Sequence, residues 1–221
     1  MLTRRRFCSL AATTAVAAAT MPLWPRLSFA QQPQDITLEE LRDGVWAVMG
    51  MGGNGMLLSG SDGPVLIDCK VFQAADALYD TVFGKTGAPT LVVNTHHHGD
   101  HVGGNWIFRM KHPNLSVVAH RNSLPRTAET LEKEALPTLD AMAEDPKNAD
   151  RVAELRDSLT DAHFQADRVF DDHLALKHGD VVLDLTHYGA GHTDNDAVVF
   201  VPSHNVLHVG DLVFHRLNGY V

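Results

Sequence analysis

Asn94-Thr95-His96-His97-His98-Gly99-Asp100-His101-Val102-Gly103-Gly104-Asn105 is the stretch on which the reading of this chain turns. It follows Thr90-Leu91-Val92-Val93, a short apolar run with the composition of a buried strand. His96, His98, Asp100 and His101 fall at positions i, i+2, i+4 and i+5. Alternate residues of an extended loop project to one side, so His96 and His98 can share a metal ion. Asp100 and His101 then point toward a neighbouring position. Imidazole and carboxylate are suitable ligands for Zn²⁺. A surface His tract with adventitious metal affinity would explain neither the strand before this segment nor the Gly-Gly after it.

Two later segments supply what the first lacks. Gly189-Ala190-Gly191-His192-Thr193-Asp194 places a histidine in a Gly-rich turn before a strand. Val209-Gly210-Asp211-Leu212 places an aspartate just after the next strand. His192 would complete a three-imidazole site with His96 and His98, and Asp211 could bridge two metals through its carboxylate. An isolated His or Asp at a strand end is usually a turn residue. The order and spacing of these segments after the first one give them their weight.

On the motifs His96-X-His98-X-Asp100-His101, Gly191-His192-Thr193 and Gly210-Asp211, the chain resembles the metallo-β-lactamase superfamily from about residue 40 onward. The resemblance implies an α/β fold, the metallo-β-lactamase αββα sandwich with metals at one sheet edge. It implies that His96, His98 and His192 hold a first zinc, that Asp100 and His101 hold a second, and that Asp211 bridges. Asp68, after Val65-Leu66-Ile67, matches a position that orients the ligand loop in this family; a carboxylate behind a ligating imidazole commonly fixes its orientation. The implied reaction is hydrolysis of an ester, thioester, lactone or amide-type bond of a small-molecule substrate by a metal-bridging hydroxide. Asp100 is the candidate catalytic residue, holding the hydroxide and taking part in proton transfer. True β-lactamases of this fold usually lack the bridging Asp, so Asp211 fits the thioesterase and lactonase branches better. Some members bind iron and carry out oxygen chemistry such as sulfur dioxygenation, and that alternative stays open beside zinc, as does an inactive remnant.

The pattern departs from the family after Asp211. A last histidine for the second metal is expected well beyond the bridging Asp, and only ten residues follow here. His215 is too close in sequence to match it. The expectation is a sandwich whose second half is incomplete, from a fragment or a truncated product, or with another group in that ligand's place. His97, His120, His187, His204 and His208 are expected to have packing or surface roles.

Around these motifs the chain alternates strands and helices. Val45–Met49, Met56–Leu58, Pro64–Ile67, Ser116–Ala119, Val181–Leu185, Ala197–Val201 and Asn205–Val209 read as strands, and 72–84 as a helix. Residues 126–167 mix charges with Leu131, Leu139, Met142, Val152, Leu155 and Leu159, which suits a helical insertion broken near Pro137 and Asp145-Pro146. Cys69 has no partner once Cys8 is set aside, and is expected to be a buried structural thiol.

Residues 1–30 read as a twin-arginine signal peptide. Thr3-Arg4-Arg5-Arg6-Phe7 precedes an Ala-rich run from Cys8 to about Met21, and Ser28-Phe29-Ala30 suits cleavage. That run is too short for a comfortable bilayer span of about 20 residues, so no stable membrane anchor is expected. The expected partner is the twin-arginine export machinery, and the expected location is periplasmic or secreted. Without residues 1–30, whose only charges are Arg4, Arg5, Arg6 and Arg26, 14 basic residues face 27 acidic ones, a balance of −13. Such a surface repels phosphate backbones, and no nucleic-acid partner is expected.

Overall fold

A computed structural model describes residues 35–214. The signal-peptide reading of 1–30 and the position of His215 lie outside these residues.

Seven strands pair in sequence order into one sheet: β1 (Thr37–Arg42), β2 (Val45–Met49), β3 (Gly55–Leu58), β4 (Val65–Ile67), β5 (Leu91–Val93), β6 (Ser116–His120) and β7 (Arg168–Phe170). The first four run antiparallel, and β4 to β7 run parallel. A second, antiparallel sheet has the order β11-β10-β9-β8, from β8 (His173–His178), β9 (Val181–Thr186), β10 (Val198–Val201) and β11 (Val206–His208). Strands β3 to β6 are buried on both faces, which is why they read as unbroken apolar runs. Leu57, Leu66, Val92 and Val117 face a helical layer. Met56, Ile67, Val93 and Val118 face the second sheet and meet Leu183, Leu185 and Val199. Each such side chain contributes about 1.5–3 kcal/mol by leaving water.

The helical layer holds α1 (Ala75–Thr86), α2 (Gly99–Val102) and α3 (Asn105–Lys111). Helix α1 buries Ala75, Leu78 and Val82, the spacing of one helical face. Helix α3 buries Trp106, Ile107 and Phe108. The result is a helix–sheet–sheet stack. Among the described residues no helix covers the outer face of the second sheet, where Leu207 is exposed. This order of helices, sheet and sheet agrees with the αββα sandwich expected from the sequence, with no second helical layer among the described residues.

Between β6 and β7 the chain forms α4 (Leu124–Thr127), a π turn at Leu131–Ala135, α5 (Leu136–Met142) and α6 (Ala149–Ser158). Pro137 does not break it, contrary to the sequence expectation. The Leu136 amide donates to the Leu131 carbonyl, and this widened turn makes room for a proline ring in the next turn. The break falls at Asp145-Pro146, where Asp145 caps a short 3₁₀ turn. Strands β7 and β8 were not evident in the sequence: β7 has three residues, and β8 alternates polar and apolar residues over His173–His178.

Candidate metal centre

The parallel register aligns Ile67, Val93 and Val118, so the loops after β4, β5 and β6 leave the sheet at one edge. Open parallel sheets bind ligands at the carboxyl ends of their strands. The loop after β4 carries Asp68, that after β5 carries His96 to His101, and the turns after β9 and β11 carry His192 and Asp211. The Ala197 amide donates to the Thr95 carbonyl at 2.7 Å, tying the second sheet to this edge.

Two groups of ligand atoms converge here, each within 4.8 Å: His96, His98 and His192, and His96, His101 and Asp211. His192 Nε2 lies 2.9 Å from His98 Nδ1. The His96 ring centre is 4.8 Å from that of His98, 4.1 Å from His101 and 5.0 Å from His192. Asp211 stands between the groups, with Oδ1 3.2 Å from His101 Nε2 and Oδ2 3.7 Å from His192 Nε2. Asp100 belongs to neither close group. Its Oδ2 is 3.6 Å from His101 Nε2, and its side chain is 41% exposed at the edge of the site.

Asp68 is the hub behind these groups. It is fully buried and accepts from the Thr95 amide at 2.8 Å and the Thr95 hydroxyl at 2.7 Å. Its Oδ2 is 2.8 Å from His101 Nδ1, which places the imidazole proton there and turns Nε2 toward Asp211. Burial works to raise the Asp68 pKa, but the charge and hydrogen bond of His101 outweigh it and hold the carboxyl at about 2. Burial pulls His101 down, yet Asp68 and Asp211 raise it to about 10. Burial and the adjacent His101 charge push His96 down to about 3, so its ring is neutral.

The surroundings fit a metal ion. His96 Nε2 is buried without a hydrogen-bond partner among the described residues, a costly arrangement unless it ligates. Gly53 approaches so closely that a Cβ there would overlap the His101 ring, and its amide donates to the Asp100 carbonyl. A cavity of about 510 Å³ opens over Asp100 and Asp211, with Leu207, Val213 and Phe214 on its wall. A smaller one of about 180 Å³ lies between His98 and Arg126, Thr130 and Glu134.

Several participants escaped the sequence reading. Asp196 accepts from the Thr193 amide at 2.8 Å and the Thr193 hydroxyl at 2.6 Å, shaping the turn that carries His192. Lys70 is buried between acids, with no hydrogen-bond partner for Nζ among the described residues; burial lowers it to about 8 against the opposing pull of Asp68 and Asp100. Asp68 and Lys70 both have left-handed backbones, φ 59° and 64°, a strained geometry of the kind that collects at functional sites. Cys69 between them is fully buried, and burial then Asp68 push its thiol pKa up, away from nucleophilic character. The remaining histidines pack: His97 Nδ1 lies 2.9 Å from the Asn195 amide nitrogen, His120 stacks on His187, and His208 donates to the Asn54 carbonyl at 3.1 Å. His204 lies beside Ser203 at the surface.

Residues 48–221 match the family description "Metallo-beta-lactamase superfamily". Similar solved structures include the subclass B3 metallo-beta-lactamase BJP-1 of Bradyrhizobium japonicum, 22% identical, TM-score 0.56, over 76% of this chain and 57% of that one. A HARLDQ-motif metallo-beta-lactamase of Cronobacter sakazakii is 19% identical, TM-score 0.55, over 75% of this chain and 59% of that one. TMB-1 is 19% identical, TM-score 0.57, over 83% and 73% respectively. The chain thus spans less than two thirds of the first two structures' length. No curated protein matches it.

Proposed function

The chain belongs to the metallo-β-lactamase superfamily, and from that membership we propose a zinc-dependent hydrolase acting on an ester, thioester, lactone or amide-type bond of a small molecule. The observation that carries the proposal is the pair of ligand groups sharing His96, with Asp211 between them. His96, His98 and His192 would hold a first zinc; His101, Asp100 and Asp211 would hold a second, Asp211 being shared. When bound, zinc supplies a nucleophile from water at neutral pH and polarises the scissile carbonyl. Asp100 lines the larger cavity, which supports its reading as the residue that takes part in proton transfer beside the scissile bond. Leu207, Val213 and Phe214 give one wall of the cavity an apolar surface, which fits an apolar part of the substrate. Thr3-Arg4-Arg5-Arg6-Phe7 supports export of the protein by the twin-arginine route.

The two positions are unequal. Three imidazoles with water as fourth ligand form a complete catalytic zinc set. The second position relies on Asp100, which stands apart from both close groups. The 221-residue chain is therefore expected to keep about one zinc after dialysis, with at most weak turnover of a chromogenic ester, thioester and lactone panel, which a chelator abolishes. Two tightly retained zinc ions would refute the ranking. Iron retained in place of zinc, or chelator-insensitive hydrolysis, would refute the reading as a zinc hydrolase.

A further inference from the structure

We propose that the helical insertion braces the metal centre, with Glu134 and Arg126 as positioning residues for the loops that carry His98 and His192. The inference rests on the metal-centre reading above. The Glu134 carboxylate packs against the Gly99 backbone, between His98 and Asp100. The approach is so close that a Cβ on Gly99 would overlap the carboxylate. Arg126 Nη2 lies 2.5 Å from Asp194 Oδ2, two residues after His192, and Asn122 Nδ2 donates to the Asp194 carbonyl at 3.1 Å. One insertion therefore holds both loops whose ligand atoms, His98 Nδ1 and His192 Nε2, stand 2.9 Å apart.

The brace has a firm base. Glu134 sits in the π turn, and its neighbour Ala135 is fully buried, as is Leu139 in the next turn, in the core cluster that holds Phe72 and Trp106. A segment rooted there is poorly suited to swing as a lid. The two contacts differ in weight. Arg126 and Asp194 are both more than a third exposed, so that pair contributes little. The Glu134 carboxylate is half-buried against Gly99, and that contact carries more.

The test uses the full 221-residue chain and its E134A, E134Q, R126A and R156A variants. Arg156 pairs with Asp140 within the insertion and touches neither loop, so R156A is the control. Zinc affinity is measured by chelator competition, and the ligand field by the visible spectrum of the Co²⁺ form. Loss of an outer-shell partner lowers metal affinity by about tenfold or more, and E134A is expected to do so with an altered Co²⁺ spectrum. E134Q keeps a side chain of the same shape against Gly99 and should match the parent, R126A should weaken binding by roughly threefold, and R156A should match the parent. If E134A does not fold by circular dichroism, R126A decides, weakening zinc binding at an unchanged melting temperature. Parent-like affinity and spectrum in E134A, or in R126A where that variant decides, would overturn the proposal. So would an R156A loss equal to that of E134A. A parent that binds no zinc would instead sink the metal-centre reading itself.

Discussion

At the scale of single residues, the centre depends on one carboxylate that touches no reacting atom. Asp68 spends its hydrogen-bonding capacity on Thr95 and His101, fixing the β5 loop and the imidazole proton together. Asp68→Asn keeps the volume but exchanges an acceptor oxygen for a donor amide. It cannot accept from Thr95 and His101 as before, and it withdraws the charge that favours the His101 orientation. Affinity at the position served by His101 should fall by about 10- to 100-fold, with the His96, His98 and His192 position less affected. Stepwise zinc titration of the variant checks this; equal losses at both positions would mean that Asp68 acts on general stability. Asp68 was legible only through the family resemblance, since an aspartate directly after an apolar strand reads locally as a turn residue. Glu134 and Asp196 were not, because nothing local distinguishes a carboxylate that turns toward a ligand loop from one that faces water.

At the scale of elements, legibility followed hydrophobic pattern. Strands β3 to β6 are buried on both faces and appear as plain apolar runs, whereas β7 and β8 are short or polar on alternate residues and passed unnoticed. Pro137 marks a helix break by its chemistry, yet the π turn before it absorbs the steric demand, and local propensity could not reveal that tertiary solution. The insertion's attachment can be weighed by Leu139→Ala. Leu139 is fully buried beside the helical layer, and truncating such a side chain costs about 2–5 kcal/mol. Urea unfolding of the metal-free variant should show that loss with an unchanged m-value. A loss below about 1 kcal/mol would mean that the insertion is docked loosely.

At the scale of the whole molecule, one sheet edge gathers residues separated by more than a hundred positions. Asp68 and the His96 to His101 loop come from the first sheet, and His192 and Asp211 from the second. The Ala197–Thr95 backbone bond and the shared core hold these edges in register. The central claim is that this edge is a metal centre, and the most direct measurement is anomalous X-ray scattering at the zinc edge from crystals of the zinc-soaked chain. The account predicts a principal peak about 2.0–2.1 Å from imidazole nitrogens of His96, His98 and His192, with a weaker second peak beside His101 and Asp211. No peak at this edge, or a principal peak at a surface histidine such as His204, would contradict it.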